Sequence, residues 1–396
     1  MKKTVFAALA LAFVNTSLSA QDLTNDYLNN LNTISTSVPF LSIAPDSRAG
    51  AMGDVGVATS PDQNSIHWNA SKFAFIEKEQ GLSMSYTPWL QDLVPEISLS
   101  YLSGYKKLNS KSAVAASLRY FSLGEIQFTG SDGVNLKKFS PNEFAFDGAY
   151  AMKLSGNFSA GVAMRYIYSN LTGGINIDGG ATKPGNYFAV DLSSYYQSDE
   201  FEIDEKEAYW AAGINLSNMG NKISYTDGGE EHFLPMNARV GGSLFMELDD
   251  FNSISFAVDV NKLLVPTTPV YDSLGTGPEN IVAGQDPNVG VIQGIFQSFS
   301  DAPGGSKEEL NELMFSVGAE YWYMKQFALR GGYFYEHETK GGRKYFTVGL
   351  GLKMNVFSLD AAFLLPATSG VKSPLANTLR FTLLFDMESL YATNKN

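Results

Sequence analysis

The sequence predicts an all-β protein: a transmembrane antiparallel β-barrel of about fourteen strands with an N-terminal plug or hatch segment. Three observations lead there. An export signal opens the chain, and no later apolar run reaches the roughly 20 residues of a membrane helix. From about Gly81 to Met387 the side chains alternate in character in segments of roughly ten residues separated by turn residues. Tyrosine, tryptophan and phenylalanine gather near the segment ends, as amphipathic rings do at headgroup depth.

Composition narrows the function before any motif is read. The 396 residues include no cysteine, which removes disulfide scaffolds, thiolate metal sites, iron–sulfur clusters and thiol enzymes. With 28 basic residues against 41 acidic ones, a net charge of −13 and no basic run, the chain lacks the electrostatic footprint of a nucleic-acid partner.

Residues 1–20 read as a secretory signal. Lys2 and Lys3 precede the apolar run from Val5 to Val14, and Ser17, Ser19 and Ala20 supply small residues for cleavage after Ser19 or Ala20. No cysteine follows to carry a lipid anchor. Residues 21–80 alternate too little to join a wall; they hold SIAPDSRAGAMGDVGVA at 42–58 and HWNASKFAF at 67–75. A barrel of about fourteen strands encloses a lumen that side chains alone do not fill, so a folded plug is the expected use of this stretch. The alternative is a periplasmic linker, against which stand Phe40, Ile43, Met52, Val55, Val57, Ile66, Trp68 and Phe73.

The barrel itself is expected over 81–390, with 391–396 as a tail. Strands are expected near 81–88, 96–106, 112–125, 143–154, 158–170, 187–198, 207–217, 237–248, 253–265, 311–324, 326–337, 343–354, 356–366 and 377–388. Successive side chains of a strand leave opposite faces. Leu379, Phe381, Leu383 and Phe385 therefore point one way, and Thr378, Arg380, Thr382 and Asp386 the other. The second face is small or charged throughout: Asp147, Arg165, Asp191, Asp259, Glu320, Arg330, Asp360 and Arg380 recur on it. A soluble sandwich also has one polar face, so the rings discriminate better. Tyr86 with Trp89, Tyr101 with Tyr105, Tyr166 with Tyr168, Tyr209 with Trp210, and the clusters at 321–323 and 333–335 fit two girdles flanking an apolar band.

Connection lengths give the orientation. The second, fourth, eighth, tenth and twelfth are tight, whereas the third, fifth, seventh, ninth and thirteenth are longer, as between periplasmic turns and outer loops. The first strand is then expected to run outward from an outer membrane whose lipid surrounds the wall, with both termini periplasmic. In the ninth connection, residues 266–310, Val289, Ile292, Phe296 and Phe299 recur at helical spacing before the stop DAPGG. A short amphipathic helix follows. Its apolar stripe either packs down on the rim or forms an exposed docking edge for cargo or a partner through Ile292, Phe296 and Phe299.

Catalysis finds little support, so no enzyme, cofactor or metal is expected. The three histidines, His67, His232 and His337, form no His-x-x-x-His pair and accompany no Gly-x-Ser-x-Gly elbow; each is expected at the surface. Asp227, Glu230 and Glu231 lack EF-hand spacing and read as a solvated loop.

The same residues carry a resemblance. The plugged barrel, with HWNASKFAF at 67–75 in the place of an Asn-Pro-Ala segment, resembles the FadL-type outer-membrane family. Trp68, Asn69 and Ala70 are the hatch motif, with Ala70 standing where that family usually has proline. SIAPDSRAGAMGDVGVA, SIHWNASKFAF at 65–75 and GIFQSFSDAPGG at 294–305 are similar to one branch of it, the PorV (LptO) family of the type IX secretion system. That resemblance implies an outer-membrane component that binds the C-terminal domains of secreted cargo. It also implies association with a SprA/Sov-like translocon barrel and transfer to a PorU-like sortase attachment complex. The wider family implies the alternative, a transporter of hydrophobic small molecules.

Overall fold

A computed structural model describes residues 31–387 except 91–95, 130–134, 175, 178–179, 227–228, 273–274 and 368–377. The expected signal segment, the tail and Asp227 lie outside the described residues. Fourteen strands make the wall: β1 (Gln80–Pro88), β2 (Ser98–Lys107), β3 (Ser112–Ser122), β4 (Asn142–Lys153), β5 (Phe158–Asn170), β6 (Gly185–Gln197), β7 (Lys206–Gly220), β8 (Asn237–Glu247), β9 (Asn252–Leu263), β10 (Met314–Tyr323), β11 (Phe327–Tyr335), β12 (Lys344–Lys353), β13 (Phe357–Pro366) and β14 (Leu379–Asp386). Each pairs antiparallel with the next, and β14 returns to β1 through Met84↔Leu383 and its neighbours. The sheet therefore closes and leaves no wall strand unpaired.

Closure gives every strand one face toward the bore and one away from it. On β1, Ser83, Ser85 and Thr87 are buried while Leu82, Met84 and Tyr86 are exposed. The pattern repeats around the wall. Arg119, Asp147, Arg165, Asp191, Asp259, Glu320, Arg330, Asp360 and Arg380 are buried, whereas Leu118, Phe146, Met164, Phe256, Val317, Leu329, Val348 and Phe381 are exposed. A water-soluble sandwich would do the reverse, because transfer of apolar area out of water drives its folding. An apolar exterior around a polar interior is the distribution that hydrocarbon requires. None of the described helices is long and apolar enough to cross a membrane; the strands are the spanning elements.

Two expectations change. Tyr101 and Tyr105 do not belong to the outer girdle, for they occupy the inward parity of β2, where Tyr105 stacks on Phe73 with ring centroids 5.4 Å apart; Tyr209, Trp322 and Phe334 likewise share the inward parity of their strands. Tyr86, Trp210 and Tyr323 do lie on the outside. The third strand ends at Ser122, three residues early, and the connection beyond it forms a separate hairpin of Ile126–Thr129 with Asn135–Phe139.

Connection lengths alternate as expected. The sixth is a tight extension in which Phe201–Ile203 pairs back on the start of β7. The ninth runs from Leu264 to Leu313. It contains the ribbon Val270–Tyr271 with Ile281–Ala283, then two short helices, α3 (Val291–Gln297) and α4 (Ser306–Asn311). Before the barrel, two further helical turns form, α1 (Ser47–Gly50) and α2 (Ser65–Trp68), followed by a 3-10 helix at Ala70–Phe75.

Candidate functional site: the inner face of the wall and the rim helix

Residues 38–76 fold on themselves through buried caps. Asp46 accepts the Ala49 N–H at 3.0 Å, capping the Ser47–Gly50 turn, and its other oxygen takes the Trp68 indole N–H at 2.6 Å. Asn69 caps the Ala70–Phe75 helix by accepting from the Ser71 N–H at 3.1 Å, while its amide donates to the Val57 carbonyl at 2.9 Å. Lys72, buried, donates to the Gly56 carbonyl at 2.8 Å and to Thr59 Oγ1 at 3.0 Å. Ala70 opens its helix from an extended Asn69, φ −170° and ψ 99°. A proline tolerates that first position, since it loses no intrahelical bond there. Ala70→Pro is therefore expected to leave the fold intact and to raise stability by about 0.4–1 kcal/mol, read as a higher urea midpoint of the heat-modifiable gel band.

The same residues are bonded to inward-facing wall positions. The Ser47 N–H donates to Thr382 Oγ1 at 2.8 Å, and the Gly53 N–H to Thr347 Oγ1 at 2.8 Å. Asp259 accepts from the Gly56 and Val57 N–H groups at 2.8 and 3.0 Å. On the other side of the bore, Asn69 donates to the Ser194 carbonyl at 2.9 Å and Ser159 Oγ to the Ser71 carbonyl at 2.9 Å. Close approach depends on absent side chains. A Cβ on Gly332 would stand 2.1 Å from the Met52 carbonyl carbon, and one on Gly213 would stand 2.4 Å from the Val57 carbonyl oxygen. These inward glycines are seats for a backbone.

Charge pairing joins the segment to the wall. Arg48 bridges Glu320 at 2.8 Å and Asp62 at 2.9 Å; Glu320 is shared with Arg330 at 2.7 Å, which also reaches Asp360 at 2.7 Å. Asp54 accepts from Arg380 at 3.1 Å and from the Tyr345 hydroxyl at 2.5 Å. A second cluster centres on Arg165, with Asp147 at 2.5 Å, Asp191 at 3.1 Å and a bond to the Asn218 side-chain oxygen. Most of the wall charges singled out by sequence find partners here. Buried charges of both signs at these distances hold position through mutual compensation.

His67, expected at the surface, instead turns into the bore. Its Nδ1 lies 2.8 Å from an Arg119 guanidinium nitrogen, which donates, so Nδ1 accepts and the proton sits on Nε2. Burial, then the positive field of Arg119, Arg239 and Arg165, lowers its pKa well below the usual histidine value. His337 caps the turn Glu338–Lys340, and His232 is exposed in the seventh connection.

At the rim, α3 divides its apolar residues between two faces. Val291 and Ile295 pack against the cluster that includes Val38, Phe233, Leu234 and Val265, and the absence of a side chain at Gly294 lets Phe233 approach. Ile292, Phe296 and Phe299 remain 74%, 73% and 55% exposed. Below them α4 is fastened to the wall. Lys340 reaches Glu308 at 2.6 Å and Glu312 at 2.9 Å, Lys262 pairs with Glu312 and, at 3.1 Å, with Glu309, and Thr267 donates to Glu312 at 2.6 Å. Burial, with Glu309 and Glu312 nearby, pushes Asp301 up to about 6 despite the Thr267 N–H that it accepts.

Of the residues singled out in the sequence, Trp68, Asn69 and Ala70 lie together in the N-terminal segment, where Asn69 reaches the wall at Ser194, and Ile292, Phe296 and Phe299 lie on and just after α3. Arg48, Asp54, Lys72, Glu312 and Lys340 were not singled out. Each is an ordinary polar residue whose partner lies elsewhere in the chain, so no local pattern marks it.

Fold and contacts together define an outer-membrane β-barrel whose bore is lined by charge and met by a folded N-terminal segment. The model of the type IX secretion system protein PorV matches residues 26–270, more than half the chain, and the chain belongs to that family: it is an outer-membrane component of type IX secretion. Solved structures that it resembles include the toluene transporter TbuX of Ralstonia pickettii, 12% identical over 90% of this chain and 97% of that one, TM-score 0.46. A FadL homologue of Pseudomonas aeruginosa is 11% identical over 90% and 99%, TM-score 0.42. No curated protein matches.

Proposed function

We propose that this barrel receives the C-terminal domains of secreted cargo on the rim helix α3 and passes them from a SprA/Sov-like translocon barrel to a PorU-like sortase attachment complex at the surface. The observation that carries the reading is the exposed set Ile292, Phe296 and Phe299 on α3 and the turn after it, a segment seated on the apolar cluster by Val291 and Ile295 and followed by α4, whose C-cap Glu312 is held by buried ion pairs. A rigid apolar patch above the membrane costs solubility unless something covers it, and anchors of this kind supply most of an interface's binding energy. In this reading the long connections face outward and both termini are periplasmic. Residues 21–80 act as the hatch of the barrel over 81–390.

Transport of hydrophobic small molecules through the bore has less support. A greasy ligand would have to pass buried Arg48, Arg165, Glu320 and Arg330 without compensating them.

Ile292→Asp combined with Phe296→Asp is expected to leave barrel insertion unchanged and to reduce surface display of cargo at least tenfold. Each lost anchor costs about 2 kcal/mol. Flow-cytometric detection of a surface-displayed cargo reports it, and unaltered display rejects the site.

A further inference from the structure

The outer wall carries a trough that the secretion role does not use. Gly104, Ala116 and Gly148 stand side by side on β2, β3 and β4 through the pairs Gly104↔Ala116 and Ala116↔Gly148. All three lie on the outward parity of their strands, in line with Leu102, Leu118 and Phe146. The small residues Gly104 and Ala116 floor an open, mainly apolar groove of about 550 Å³, walled by Leu82, Leu102, Val114, Leu118 and Phe146, and Gly148 continues the row beside it. A Cβ on Gly148 would meet nothing within 4 Å.

One wall residue is out of character. Lys106 lines the trough at its tight-turn end and points outward, two residues from Gly104, so its Cα is about 7 Å along the strand from the row of small residues. Lys111 and Leu108 are exposed in the β2–β3 turn that closes this end of the two strands. Lys107 has the opposite parity and donates to the Glu77 carbonyl at 3.3 Å; Glu79 lies on that side too, its carbonyl accepting the Lys107 N–H at 2.7 Å.

We propose that this trough is a binding site for one anionic phospholipid, its acyl chain laid across Gly104 and Ala116 and its phosphate held by Lys106 and Lys111. A lysine at the edge of an apolar wall extends its ammonium toward the headgroup layer. A phospholipid delivers a phosphate at that depth with a chain directly beneath it, whereas a protein partner covering the same groove would have to carry a carboxylate into hydrocarbon. The groove is continuous with the lipid-facing surface of the wall, so the lipid needs no new route to it. Placing this lipid in the periplasmic leaflet rests on the orientation proposed above; the existence of the site does not.

Native mass spectrometry of the full barrel, released from nanodiscs holding equal phosphatidylglycerol and phosphatidylcholine, tests it. Both leaflets there have the same composition, so the outcome is independent of which end faces the periplasm. One retained phosphatidylglycerol per barrel is expected. Lys106→Gln with Lys111→Gln should lower the preference for phosphatidylglycerol roughly fivefold for each lysine removed. Ala116→Leu, which raises a branched side chain from the floor of the trough, should abolish retention of either lipid, with heat-modifiability on gels confirming a folded barrel. Equal retention of the two lipids by the unaltered protein, or retention undiminished in Ala116→Leu, overturns the proposal.

Discussion

Gly332→Val is expected to drive the N-terminal segment out of the bore while leaving the wall closed. The new Cβ would stand 2.1 Å from the Met52 carbonyl carbon and 2.2 Å from the Gly53 nitrogen, backbone atoms that have no rotamer to change. Gly53 itself lies against the β11 backbone, where a Cβ would stand 2.6 Å from the Tyr333 carbonyl oxygen, so the turn has little room to move. Overpacking against backbone costs about 3 kcal/mol or more, enough to exchange the bonds to Thr347, Thr382 and Asp259 for water. Limited proteolysis of reconstituted barrels should cut within 45–60, and planar-bilayer conductance should rise. Gly331→Val is the matched control: the neighbouring residue faces outward, and its Cβ would find the Thr347 carbonyl oxygen at a comfortable 3.9 Å. Equal behaviour of the two variants would contradict the account.

Removing Arg165 should be the most damaging single change in the bore. Its guanidinium lies between Asp147 and Asp191, and all three side chains are almost fully buried. Arg165→Met leaves two buried carboxylates without the guanidinium that bridges them, a loss of about 3–5 kcal/mol. The urea midpoint of the heat-modifiable band should fall accordingly. Adding Asp147→Asn and Asp191→Asn to that variant should restore most of the loss, because the penalty belongs to the stranded charge and not to the missing arginine. Absence of recovery in the triple variant would place the effect in packing instead.

Much of the wall was legible in the sequence because a strand declares itself locally. The alternation of Ser83, Ser85 and Thr87 with Leu82, Met84 and Tyr86 needs only a period of two. Both signs of charge on one face, such as Arg165 and Asp147, marked a bore before any pairing was known. Short-range periodicity also found α3 and its exposed set. Three things were hidden. Tyr101 and Tyr105 looked like girdle residues, since a ring near a strand end carries no label for the side on which it stands. Gly213 and Gly332 looked like ordinary small residues of the inner face, and only the closed barrel reveals the backbone resting on them. The clamp beneath α3 joins Lys262, Glu312 and Lys340 across three separate regions of the chain, so its members become neighbours through tertiary closure alone.

One measurement decides between a segment held in the bore and one that lies elsewhere. The chain has no cysteine, so introduced pairs report without interference. Ser47 and Thr382 hydroxyl oxygens are 3.0 Å apart, and Leu383 is the next residue on β14, facing the opposite side. Barrels carrying Ser47→Cys with Thr382→Cys, oxidised in native membranes, should yield the cross-linked peptide pair by mass spectrometry in nearly every molecule. Ser47→Cys with Leu383→Cys should yield none. Cross-linking in neither variant, or equally in both, would contradict the inward face assigned to Thr382 and the place assigned to the N-terminal segment.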